Sequence, residues 1–143
     1  MVRRIKKIIH NGVKFDSLSE FEFGERLERM FGTPVAELRE QTILDYIVPE
    51  QAKRYFPDYT VGKVHLEYKG RFTKQDRDKL LFVQRANPGV RIIVVFQRAR
   101  NYIRKGSKTT YGDWCSKNGF EWVDSSIPDR QLKRLITRKT KSI

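Results

Sequence analysis

Cysteine and histidine are nearly missing from this chain. The single cysteine, Cys115, excludes an intramolecular disulfide and a cysteine-based zinc site. The two histidines, His10 and His65, leave little scope for an imidazole metal site. No apolar run approaches the roughly 20 residues needed to span a bilayer. The basic start is followed only by a short apolar patch at Ile8-Ile9, too short for a signal peptide. These absences lead us to expect a soluble intracellular protein with no membrane partner. Acidic residues are also in deficit, 17 against 30 lysines and arginines, which leaves a net charge of +13 and a pI near 10.1. A charge of that size calls for a polyanionic partner, nucleic acid first among them.

What is present describes a folded domain. The 143 residues suit one domain, and 38% hydrophobic content with seventeen aromatics supplies a modest core. The charge is unevenly spread. Residues 1–14 carry Arg3, Arg4, Lys6, Lys7 and Lys14 without an acid, residues 15–57 are net −4, and residues 58–143 are net +12. The basic arm 1–14 is equally compatible with a frayed, solvated terminus and with phosphate contact. The acidic segment has little use in a protein that only coats nucleic acid, and could instead pack against basic protein surface.

Periodicity predicts a helix over 17–31, with Leu18, Phe21, Leu27, Met30 and Phe31 on its apolar side and Gly32 as a stop. Ser17-Leu18-Ser19-Glu20 fits a capping box in which Glu20 reaches back to the Ser17 backbone N–H, and this structural role competes with a catalytic one. Residues 33–49 permit a helix, but extended structure is favoured from about Gln41, closed by Pro49 and followed by a short loop. A second helix is expected over 73–87, with Thr73 and Asp76 at capping spacing and Asn87-Pro88-Gly89 as its end. The run Ile92-Ile93-Val94-Val95-Phe96 suits a strand buried on both faces. The basic loop 97–108 follows, with Arg98, Arg100, Arg104, Lys105 and Lys108, no acid, and Tyr102 between them, a composition suited to phosphate binding. Thr110 should cap a short helix over 111–118 ended by Gly119, with Trp114 and Cys115 as packing residues, and 120–123 alternates like a last strand. From Ser125 onward we expect a polar, basic tail with partial disorder. This order of elements implies an α/β fold, a mixed central sheet flanked by helices.

The chemistry-bearing stretch lies between Tyr55 and Gly70. Read as two extended segments joined at Gly62-Lys63, it brings Asp58 close to Glu67 and Lys69. Alternation puts His65, Glu67 and Lys69 on one face and Val64, Leu66 and Tyr68 on the other. Asp58 and Glu67 are hard oxygen donors suited to Mg²⁺ or Mn²⁺. Lys69 could orient a water and neutralise charge on an attacked phosphate. Pro57-Asp58, then Glu67-x-Lys69 after eight intervening residues, resembles the PD-(D/E)xK nuclease motif. Taken alone, that pattern is short and recurs by chance, and a solvated strand face is the more ordinary reading.

A longer set of landmarks is more specific: Phe15-x-Ser17-x-x-Glu20, Tyr46-x-x-Pro49, Tyr55-x-Pro57-Asp58, Glu67-x-Lys69-Gly70, Asp76-Arg77, Pro88, Val95-Phe96, Arg100, Lys105-Gly106-Ser107 and Tyr111-Gly112-x-x-Cys115. In this order they resemble the phage endonuclease I family, the Holliday-junction-resolving enzymes of podoviruses. The resemblance implies a PD-(D/E)xK nuclease fold in an intertwined, domain-swapped homodimer, with a bridge near residues 43–49. The segment of about 15–48 would be exchanged, about 50–124 would form the catalytic body, and 1–14 and 125–143 would be a basic arm and tail. It also implies a catalytic set of Glu20 from the partner chain with Asp58, Glu67 and Lys69. Two Mg²⁺ ions, replaceable by Mn²⁺, would be held by Asp58, Glu67, Glu20 and the Tyr68 carbonyl, without a small-molecule cofactor. The substrate would be four-way and other branched DNA, cut to leave 5′-phosphates in the host bacterial cytoplasm. Arg3, Arg4, Lys6, Lys7 and the five cations of the 97–108 loop are the expected DNA contacts. His65 departs from the family pattern, which has an apolar residue there. Other readings of the same residues are a nuclease for nicked, mismatched or duplex DNA, and a non-catalytic DNA-binding protein.

Overall fold

A computed structural model of the chain describes residues 8–10, 13–39, 42–48 and 51–139. The elements are β1 (Ile8–His10), β2 (Val13–Phe15), α1 (Leu18–Phe31), α2 (Val35–Leu38), β3 (Leu44–Val48), β4 (Gln51–Tyr55), β5 (Tyr59–Val61), β6 (Val64–Lys69), α3 (Lys74–Ala86), β7 (Arg91–Phe96), α4 (Tyr111–Lys117), β8 (Glu121–Asp124) and α5 (Asp129–Thr137). The main sheet has the order β5-β6-β7-β8. Strands β5 and β6 form an antiparallel hairpin around Gly62, whose φ of +60° suits a residue without Cβ. The pairs β6–β7 and β7–β8 are parallel, with α3 and α4 as the crossovers.

The apolar run of β7 behaves as its composition requires. Ile93 and Val95 enter one core with Phe23, Leu27, Leu66, Leu132 and Ile136, so α1 and α5 cover that face. Ile92, Val94 and Phe96 enter the other with Leu80, Val83, Cys115 and Phe120, under α3 and α4. The result is a mixed sheet between two helical layers, as expected. Among the described residues, no helix is long and apolar enough to cross a membrane.

Local signals hold at several element ends. Ser17 Oγ accepts from the Glu20 N–H and Gly32 closes α1 in the left-handed region. Thr73 and Asp76 form a complete capping box on α3, as do Thr110 and Asp113 on α4.

Other expectations are corrected. The capping box of α1 is only half made: the Glu20 carboxylate accepts from the Asp16 N–H at 2.8 Å and leaves that of Ser17. The segment expected as a loop before Asp58 is the strand β4, paired antiparallel with β3 from Leu44↔Tyr55 to Val48↔Gln51. Its register comes from β3, and a short polar run such as Gln-Ala-Lys-Arg-Tyr does not announce a partner. Part of the ambiguous stretch before β3 is the one-turn helix α2. Within the expected arm, residues 8–10 pair as a hairpin with 13–15, which run one residue past it, while Arg3, Arg4, Lys6 and Lys7 lie outside the described residues.

The largest correction is α5, in place of a tail. Leu132 and Ile136, one helical turn apart, are buried in the core under α1. Two arginines secure the ends of this helix. Arg26 pairs with Asp129 and donates to the carbonyls of Ser125 and Ile127. Arg91, in a bidentate pair with Glu121 at 2.7 Å, donates to the carbonyls of Leu135, Ile136 and Arg138. The Arg91 donations reach carbonyls at the C-terminal end, where a helix leaves acceptors open.

Candidate active site

Two elements and one turn bring the acids together. Glu20 lies in the first turn of α1, Asp58 in the turn before β5, and Glu67 and Lys69 near the end of β6. Gly24 lets Tyr59 pass close under α1, since a Cβ there would stand 2.9 Å from the Tyr59 hydroxyl oxygen. That hydroxyl donates to the Glu20 carbonyl at 2.6 Å, which ties the acid-bearing turn to the sheet. An open cleft of about 570 Å³ is lined by Glu20, Asp58, Glu67, Tyr68 and Lys69, with Ser17, Lys79 and Gln97 at its walls.

Cations and hydrogen-bond donors surround the three acids, although the buried Glu20 Oε1 has an ion pair and no hydrogen bond. Glu20 Oε1 lies 2.7 Å from Arg39 Nη1, and Oε2 takes the Asp16 N–H. Asp58 Oδ2 accepts the Tyr68 N–H at 2.9 Å, and Oδ1 stands 3.6 Å from Arg39. Glu67 Oε1 is 3.3 Å from Lys69 Nζ, and Oε2 accepts from the buried Tyr55 hydroxyl. Lys69 is shared, with Asp76 Oδ1 at 3.1 Å on its other side.

The electrostatics follow from this crowding. Burial, then the charges of Glu67 and Glu20, push the Asp58 carboxyl well above its ordinary range. Burial also raises Glu20, against the opposing pull of Arg39. For Lys69, burial favours the neutral amine, but Glu67 and Asp76 outweigh it and the pKa is pushed up to about 12. Tyr55 is raised well above the usual phenol value by burial and by Glu67, so it remains a donor. The lysine is a fixed cation at neutral pH, and Asp58 carries an electrostatic deficit that a bound cation would relieve.

Mg²⁺ or Mn²⁺ fits that deficit through Asp58 and Glu67, whose hard oxygens retain lone pairs beyond their present hydrogen bonds. Among the described residues, no group of three or more Asp, Glu, His or Cys side chains is gathered closely enough to hold a metal by itself. Glu20 gives its charge to Arg39 instead.

Around the cleft, the basic loop leaves the C-terminal end of β7. The Gln97 N–H donates to the Lys69 carbonyl at 2.9 Å, and Arg77 ties the start of α3 to the carbonyls of Phe72 and Ile103. Arg98, Arg100, Arg104, Lys105 and Lys108 are all exposed. His65 takes no part in the acid cluster. Its Nδ1 is 3.0 Å from Thr60 Oγ1, burial lowers its pKa, and it lines a separate cleft of about 670 Å³ that contains no carboxylate. Sequence reasoning missed Arg39, Tyr55 and Asp76 as partners of the acids and the lysine. Only Asp76 had a local signal, its place in a helix cap just after the strand that carries Lys69.

A sequence model of phage endonuclease I matches residues 1–143. The chain belongs to the phage endonuclease I family. Two relatives agree. Endodeoxyribonuclease 1 of Enterobacteria phage T3 is 36% identical over 91 residues, 63% of this chain and 60% of that protein. Endonuclease I of Escherichia phage T7 is 33% identical over 95 residues, 66% of this chain and 64% of that protein. The chain thus matches less than two thirds of the length of these phage endonucleases.

Proposed function

We propose that this chain is a metal-dependent endodeoxyribonuclease that resolves four-way and other branched DNA junctions, acting as a homodimer. The observation that carries this is the convergence of Asp58, Glu67 and Lys69, with Glu20 beside them, in one open cleft of a chain from the phage endonuclease I family. The endonuclease names of the relatives support the activity.

Two Mg²⁺ ions, with Mn²⁺ as a substitute, would supply Lewis-acid stabilisation of the attacking and leaving oxygens. Asp58, Glu67 and the Tyr68 carbonyl would hold them, with Glu20 completing the set. Lys69, fixed between Glu67 and Asp76, keeps its charge at neutral pH and stabilises the negative charge that develops on the scissile phosphate. The Tyr55 hydroxyl and the Tyr68 N–H orient Glu67 and Asp58 so that their free lone pairs face the cleft. Hydrolysis leaves a 5′-phosphate and a 3′-hydroxyl. The exposed cations of the 97–108 loop track the phosphate backbone next to the cleft, and branch shape rather than base sequence gives selectivity.

In the proposed dimer, the segment of about 15–48 is exchanged, so that Glu20, which lies in its own chain's cleft here, takes the same place in the partner's site. The net charge of −4 on residues 15–57 against +12 on the rest of the body supports this, since the acidic segment then lies on basic surface. Two equivalent sites make paired incisions across a junction.

The test is to compare cleavage of a labelled four-way junction with that of linear duplexes carrying the same arm sequences, in Mg²⁺. Preferential paired cuts in the junction support the proposal. Equal cutting of the linear arms points to a general duplex nuclease, and binding without any cut points to a non-catalytic DNA-binding protein.

A further inference from the structure

Arg39 sits in an unusual place for a surface-rich, basic chain. Its side chain is 4% exposed, and its head group lies 2.7 Å from Glu20 and 3.6 Å from Asp58. It also donates to two main-chain carbonyls, of Asp58 at 3.2 Å and of Lys14 at 3.1 Å. The Phe15 and Tyr59 rings flank it at 4.9 and 5.5 Å. We infer that Arg39 holds the place of a cation between Glu20 and Asp58, so that Glu20 becomes a metal ligand only when the guanidinium releases it.

This role rests on the metal-dependent reading proposed above. Three buried or half-buried carboxylates crowd this cleft, and burying such charge without compensation is costly. Without a metal, Arg39 and Lys69 are the compensation, and Arg39 takes the position between two of the three acids. Its anchors to the carbonyls and rings do not involve Glu20, so the guanidinium can stay seated while the Glu20 carboxylate turns to a metal. Arg39 is therefore a positioning residue that sets when Glu20 is available, and it competes with a divalent ion for the same charge.

The test measures Mn²⁺ binding by calorimetry on DNA-free protein, in wild type, Arg39→Gln, Glu20→Gln and the double variant. Arg39→Gln should bind Mn²⁺ at least about tenfold more tightly, because the guanidinium no longer holds the Glu20 carboxylate away from the ion. Adding Glu20→Gln should abolish most of that gain. A folded Arg39→Gln that binds Mn²⁺ no more tightly than wild type overturns the inference. So does a gain that survives Glu20→Gln, since simple charge removal then explains it. A second measurement needs no Gln variant: arginine side-chain NMR of wild type during Mg²⁺ titration, with the Arg39 signal assigned by its loss in Arg39→Lys. The Arg39 signal should shift together with the Tyr68 amide. A Tyr68 shift without an Arg39 shift overturns the inference alone. No response from either, with no Mn²⁺ binding by wild type, overturns the metal-dependent reading as well.

Discussion

Asp76→Asn isolates the positioning of Lys69. The lysine, 22% exposed, has two anionic partners, Glu67 at 3.3 Å and Asp76 at 3.1 Å. At an effective dielectric of about 20, a unit pair 3.1 Å apart interacts by roughly 5 kcal/mol, an upper bound before solvation is counted. Losing one charge-assisted hydrogen bond while the other remains costs about 1.5–3 kcal/mol. If that anchoring is expressed in the transition state, cleavage slows by about 10- to 100-fold at about 1.4 kcal/mol per decade. Asparagine keeps a carbonyl oxygen able to accept from Thr73, so the helix cap survives. The assay is single-turnover cleavage of a fully bound four-way junction in Mg²⁺, with junction affinity and thermal stability measured alongside. Thr73→Ala is the control: it weakens the cap by about 1 kcal/mol and leaves the ion pair intact. A wild-type cleavage rate in Asp76→Asn refutes the reasoning, as does a Thr73→Ala variant slowed as much as Asp76→Asn.

Three further outcomes follow from the same geometry. Asp58 has a folded-state pKa above its ordinary value, so its penalty on folding grows as pH rises through the window between the two. Metal-free Asp58→Asn should therefore unfold at a higher temperature than wild type at neutral pH, and the gap should close as pH falls towards the ordinary carboxylate range. Replacing Arg98, Arg100, Arg104, Lys105 and Lys108 with glutamine should weaken junction binding. It should also flatten the salt dependence of binding, by about 0.9 in log–log slope for each phosphate that the loop no longer neutralises, with little change in the single-turnover rate at saturation. Finally, Glu20→Ala and Lys69→Ala should each be nearly inactive, and refolding them together should restore cleavage if each site draws Glu20 from the other chain. A dead mixture in which heterodimers are demonstrated would place Glu20 and Lys69 in the same chain.

Much of the fold was legible because its signals are local. The Ser17, Thr73 and Thr110 caps, the Gly32 stop and the doubly buried run of β7 lie within a few residues of what they specify. The alternation along β6 likewise brings Glu67 and Lys69 to one face near Asp58. What escaped depends on distant partners. Strand β4 exists because β3 lies beside it. Helix α5 has few apolar residues, and it is held by Arg26 and Arg91, far away in sequence. Arg39, a cation between Glu37 and Glu40 in the sequence, looks like solvated charge until the chain folds it under Phe15 and Tyr59. Glu20 was ambiguous for a physical reason: its backbone N–H takes part in the cap while its carboxylate faces the site.

The most direct measurement of the central claim uses a 5′-labelled four-way junction with wild type and Asp58→Ala, each in Mg²⁺ and in EDTA, at enzyme concentrations that saturate binding. Wild type should make paired cuts in Mg²⁺ alone, with 5′-phosphate ends, and Asp58→Ala should bind the junction but leave it whole. Cleavage by Asp58→Ala at the wild-type rate, or cutting that persists in EDTA, would contradict metal-dependent hydrolysis at this site.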